Sequence, residues 1–119
     1  MRVETYISGS GLERQFYELT NRKVSAHELF QSPLSNDQFT KTLIRQWHVN
    51  TGRSLANLIN ILDPDVIVIG GGLSNEPSIY KKGIEQVRHF VFNDELTTPI
   101  VKNQLGDSAG VLGAALIGL

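Results

Sequence analysis

No cysteine occurs among the 119 residues, which excludes a disulfide framework and any thiolate metal site within the chain. Charge of one sign is equally scarce in any one place. Eleven basic and twelve acidic residues leave a formal net charge of −1, and neither sign forms a block, so the basic face that nucleic-acid binding requires is missing. Long apolar runs are missing too. The longest are Val66–Ile69 and a glycine-broken segment near the C-terminus, far short of the ~20 residues needed to cross a bilayer. The opening MRVETYISGSG has no apolar stretch of the kind a signal peptide carries, so the cytoplasm is the expected compartment. Repeats and low-complexity tracts are absent.

What remains is ordinary for a folded domain: 40% hydrophobic and 19% charged residues, in a length that fits one compact unit with a modest core. The segment from Glu4 to Thr20 places Tyr6, Ile7, Leu12, Phe16 and Leu19 at roughly helical spacing, interrupted by SGSG at Ser8–Gly11. Ser25, with Glu28 three residues on, is a capping box that opens a short helix limited by Pro33. Ser35 or Asn36 is the next start signal. From there Phe39, Leu43, Ile44, Trp47, Leu55, Leu58, Ile59 and Leu62 keep a three-to-four spacing that predicts a long helix, ended by Pro64. Gly52 falls inside that helix at a cost of about 1 kcal/mol against alanine, which implies close packing against a neighbour.

Val66-Ile-Val-Ile is an unalternating aliphatic run, the pattern of a strand covered on both faces in a parallel sheet. A helix follows from Glu76/Pro77 with Ile79, Tyr80, Ile84, Val87 and Phe90 inward. Pro99–Asn103 reads as a second strand, and Asp107-Ser108 caps a last, uncharged helix over Ala109–Ile117. Helix, strand, helix, strand, helix makes an α/β domain. The uncharged last helix implies a covering partner, and self-association into a homo-oligomer is expected.

Three consecutive glycines, Gly70, Gly71 and Gly72, end the first strand. Bare main chain at the C-terminal edge of a parallel strand lets a ring or phosphate come to contact distance; the same residues also suit a tight turn with no ligand. Neither GxGxxG nor a P-loop is present, since Leu73, Ser74 and Asn75 follow the run and no Gly-Lys-Ser/Thr occurs. Glu4, just before SGSG, has the chemistry to accept hydrogen bonds from sugar hydroxyls; the plainer reading is a solvated carboxylate in a helix's first turn. His27, His48 and His89 lack metal-ligand spacing, and no serine, histidine and acid form a hydrolase pattern. No catalytic residue and no metal ligand is assigned.

Taken together, Val3–Gly11 (VETYISGSG), Leu58–Asn75 (LINILDPDVIVIGGGLSN) and Gly106–Ala115 (GDSAGVLGAA) resemble the C-terminal part of a ROK-family sugar kinase, over essentially the whole chain. The wording is most similar to bacterial fructokinases, with N-acetylglucosamine kinases next. The resemblance implies a ribonuclease H-like, actin/hexokinase-type C-terminal domain spanning residues 1–119, incomplete because the N-terminal half is missing. It implies that Gly70, Gly71 and Gly72 lie against the adenosine side of ATP, that Glu4 binds sugar hydroxyls, and that Ser8–Gly11 shapes the loop below. ATP with Mg²⁺ and a structural zinc are implied for the full-length protein. The Asp-Gly-Gly-Thr phosphate turn, the catalytic aspartate and the cysteine/histidine zinc ligands of the family are not present here. The chain is therefore expected to be a separated piece of a longer kinase, inactive alone, with sugar and ATP as partners and neither nucleic acid nor membrane. The alternative is the sugar-sensing domain of a ROK-type repressor.

Overall fold

Pairing with the distant segment Val66–Gly70 settles the chain's first element. Val3, Thr5 and Tyr6 suit a pleated, half-buried surface, and Arg2–Tyr6 forms strand β1 rather than the helical segment expected from Glu4 onward. The helical spacing of Tyr6 and Ile7 with Leu12 is coincidental: Gly9 ends the extended stretch and caps helix α1, Ser10–Thr20. The computed structural model describes residues 1–31 and 37–103. The last helix expected over 109–117, with the self-association argued from it, lies outside the described residues, as do Pro33, Ser35 and Asn36.

Helix α2, Ala26–Phe30, begins as read, with the Ser25 hydroxyl accepting from the Glu28 amide at 3.2 Å. The long helix α3, Gln38–Leu62, takes its cap from Asp37, whose carboxylate accepts from the Thr40 amide at 3.2 Å. It ends at Asp63, which adopts the left-handed conformation at φ 45° ahead of Pro64. Strand β2, Val66–Gly70, follows at once. A short 3₁₀ turn over Pro77–Tyr80, opened by the Glu76 cap, precedes helix α4, Lys82–Phe90. Strand β3, Ile100–Lys102, is the last described element.

The three strands are all parallel, in the order β1-β2-β3. β2 is central, with Glu4 opposite Val68 on one side and Val101 opposite Val68 on the other. Ile67 and Ile69 are fully buried and Val68 nearly so, as the aliphatic run implied. The core gathers Ile67, Ile69 and Ile100 from the sheet with Leu55, Ile59 and Val87 from α3 and α4, and Leu12, Phe16 and Leu29 from the first two helices.

Helices α3 and α4 pack intimately at Gly52: a Cβ there would fall 2.4 Å from the Gln86 Cβ. Asn60 clamps the far end of the pair. Its amide nitrogen donates to the Phe90 carbonyl at 3.0 Å, and its oxygen accepts from the Phe92 amide at 2.9 Å, so two main-chain groups at the end of α4 are satisfied by one side chain. Among the described residues no helix is long and apolar enough to cross a membrane.

Candidate functional site

The glycine run sits where the sheet delivers it. Gly70 is the last residue of the central strand, paired with Tyr6, and the chain then turns sharply. Gly71 adopts φ +95°, a backbone conformation that side chains with a Cβ rarely tolerate. The turn is pinned to the end of β1: Ile7 donates its amide to the Gly70 carbonyl at 2.9 Å, and Leu73 donates to the Ile7 carbonyl at 3.3 Å. Ser74 donates to the Gly71 carbonyl at 3.1 Å, and the Tyr80 hydroxyl donates to the Ser74 carbonyl at 2.5 Å.

The three glycines therefore answer to different demands. A Cβ at Gly70 would press the Tyr6 ring at 3.0 Å, and one at Gly71 would meet the Ile7 carbonyl oxygen at 2.8 Å. Gly72 is exposed, and among the described residues a Cβ there meets nothing within 4 Å. The turn accounts for Gly71 outright. Gly72 is the position where bare main chain faces open space, the geometry that suits contact with a flat ligand.

Glu4 lies mid-strand in β1, its side chain about one-fifth exposed, with the Arg2 guanidinium 3.4 Å away. It shares a narrow recess with Gly70, Tyr6, Val68 and Asn103. The sheet thus brings together Glu4 and the first glycine of the run, while Gly71 and Gly72 do not line that recess.

A larger cleft of about 690 Å³ opens beside the segment that follows the glycines, lined among others by Glu76, Ser78 and Lys82 and, from the facing helices, Phe30, Arg45 and His48. His48 was read only as one of three scattered histidines. It is buried and its Nε2 lies 2.9 Å from the Ser78 hydroxyl, while its ring stands edge-on to Phe30 and Trp47. Its partner is thirty positions away in sequence, so no local spacing signals the pair. Burial, reinforced by the positive charge of Lys82, holds the His48 pKa below its ordinary value against an opposing hydrogen bond with the Ile44 backbone.

That direction has a consequence for stability. A neutral, buried histidine binds its proton more weakly folded than unfolded, so its contribution is complete above pH 6.5 and is lost as the pH falls toward the depressed folded value. Urea denaturation should show stability falling as the pH drops below that point, and His48→Gln should flatten the slope. An unchanged slope would show that another group governs it. Among the described residues no group of three or more histidine, aspartate or glutamate side chains gathers to hold a metal ion.

The ROK family profile matches residues 3–119. The N-acetyl-D-glucosamine kinase of Pasteurella multocida (strain Pm70) is 33% identical over 115 residues, which are 97% of this chain and 38% of that protein. In shape, the ROK hexokinase of Thermus thermophilus matches with a TM-score of 0.76 at 32% identity, covering 91% of this chain and 37% of the other. A ROK family glucokinase from Streptomyces griseus, solved in complex with glucose and AMPPNP, shares the fold with a TM-score of 0.72 at 22% identity, covering 94% and 42%. The chain spans a little over one third of the length of these relatives.

Proposed function

The chain belongs to the ROK family, and from that premise we propose that it is the C-terminal part of an ATP-dependent sugar kinase, contributing a nucleotide contact and a sugar contact to the longer enzyme. The observation that carries this reading is the glycine turn at the C-terminal end of the central parallel strand, with exposed, unobstructed main chain at Gly72. In open parallel sheets that edge is where ligands bind. Bare amides there suit the adenosine side of ATP, Gly70 and Gly71 shape the turn that presents them, and ATP bound with Mg²⁺ would be the phosphoryl donor. Glu4, on the neighbouring strand, is assigned the hydroxyls of the acceptor sugar, since an ionised carboxylate holds such donors firmly.

The names of the relatives favour a kinase over the sugar-sensing repressor that shares this domain. Fructose is the first acceptor to test, on the wording of residues 4–11 and 60–75. N-acetyl-D-glucosamine is the second, on the name of the Pasteurella relative. A structural zinc belongs, on this reading, to the longer enzyme, as does a cytoplasmic location.

Phosphoryl transfer depends on positioning, on electrostatic stabilisation and on a base for the attacking hydroxyl, and no such base is assigned among these residues. The purified 119-residue chain should therefore give no turnover in a coupled assay with Mg-ATP and fructose, glucose or N-acetyl-D-glucosamine. Clear turnover would overturn the reading of the chain as one part of an active site.

A further inference from the structure

A recess of about 300 Å³ between the end of β1 and the middle of α3 has a chemistry unlike that of the two larger ones. The clefts beside the glycine turn and beside α1 are lined with lysine, arginine and glutamate; among the described residues this one has no lysine, arginine, histidine or carboxylate in its lining. Its α3 wall follows from helical periodicity. Trp47, Asn50, Thr51, Ser54, Leu55 and Leu58 recur three and four residues apart, so they share one face of the helix. Apolar and polar groups are divided along that face. Leu55 and Ile7 are buried and Trp47 and Leu58 half-buried, whereas Asn50 and Ser54 are exposed at the rim.

The polar groups are also available. Among the described residues, no protein partner meets the Trp47 indole N–H or the hydroxyls of Thr51 and Ser54, and the one bond of Asn50 is made by its oxygen, which accepts from Gln46 at 3.2 Å. An indole N–H beside an apolar floor ordinarily finds a partner when covered, and unsatisfied donors lose free energy under anything that cannot bond them.

We propose that this recess binds a neutral polyhydroxylated ligand of single-ring size, a hexose or a hexosamine derivative, with one C–H face on Trp47 and the leucines and its hydroxyls on Asn50, Thr51 and Ser54. The lack of charge among its described lining residues disfavours phosphates and carboxylates, which find lysine and arginine in the other two clefts. The volume lies at the lower end of the ~300–1,000 Å³ range of ligand pockets, enough for one ring. This is a different place from Glu4, whose side chain lines the recess shared with Val68 and Gly70; it rests on the sugar-kinase reading only for the choice of probes.

Trp47 is the single tryptophan of the chain, so its emission reports on this recess and on the Phe30 and His48 rings that stand against it, and variants at Asn50 and Ser54 separate the recess from those rings. Titration with fructose and with N-acetyl-D-glucosamine, against glycerol as the additive control, should give a saturable change for at least one sugar and none for glycerol. Asn50→Ala and Ser54→Phe, both at exposed positions and checked for folding by circular dichroism, should each weaken the apparent affinity about tenfold, the equivalent of one lost polar contact at ~1.4 kcal/mol. No saturable change with either sugar, or an affinity unaltered by both variants, would overturn the assignment. Turnover and AMPPNP binding are measured separately. Lost sugar-dependent emission with those predictions intact removes only this recess, and the reverse removes only the kinase reading.

Discussion

Replacing Gly71 with valine should unfold or severely destabilise the domain, whereas the same change at Gly72 should leave its stability within about 0.5 kcal/mol of the parent, as ordinary surface substitutions do. At Gly71 two penalties coincide. A β-branched residue would have to hold φ near +95°, a strain of ~1–3 kcal/mol, and its Cβ would meet the Ile7 carbonyl oxygen at 2.8 Å and the Ile7 amide nitrogen at 3.1 Å. Those atoms are main chain held in the hydrogen bonds that join β1 to the turn, so nothing yields cheaply. A loss of about 3 kcal/mol or more is expected, a large part of the ~5–15 kcal/mol that holds a domain together. Thermal melting of both variants checks the contrast. Gly72→Val then becomes the informative probe of nucleotide binding: placed in the longer kinase, it should lower AMPPNP affinity while the fold persists. Equal affinity with an intact fold would leave the turn with a structural role alone.

The second large effect concerns the helix pair. On propensity alone, Gly52→Ala inside a long helix should stabilise by about 1 kcal/mol. The packing reverses the sign. An alanine Cβ would lie 2.4 Å from the Gln86 Cβ and 2.9 and 3.0 Å from main-chain atoms of α4, so the helices must separate, and overpacking of this kind costs roughly 1–3 kcal/mol. A net loss is expected, growing with Gly52→Val. Gly83 supplies the control. It is also helical and buried, yet a Cβ there meets the Ile79 Cγ2 at an ordinary 3.8 Å, so Gly83→Ala should be neutral or stabilising. Opposite shifts in the urea midpoint for the two alanine variants would bear out the packing account; shifts of the same sign would refute it.

Legibility in the sequence followed how local the causes were. The long helix, its end at Pro64, the buried central strand and the Ser25 cap depend on neighbours a few residues apart, and each was readable. The crowding at Gly52 was readable as well, because a glycine inside a strong periodic pattern needs a reason. β1 was misread because five residues carry too little pattern to separate strand from helix, and what makes Arg2–Tyr6 extended is the long-range ladder to Val66–Gly70. For the same reason the shared recess of Glu4 and Gly70, the His48–Ser78 pair and the recess beside Trp47 had no linear signature: each is assembled by elements distant in sequence. The division of labour within the glycine run was hidden too, since identical residues differ only in what stands beside them.

The all-parallel ladder also dictates an order of events at the ribosome. Arg2 and Val66, opposite each other where β1 and β2 begin, are 64 positions apart (66 − 2), so β1 waits for its partner through about 3–13 s of synthesis at ~5–20 residues per second. The wait between α3 and α4 is shorter, because only residues 63–81 separate them and closing long loops is slow relative to local contacts. Until β2 arrives, the exposed edge of β1 is a template for any other extended chain, and the nascent domain is most open to mispairing during that interval.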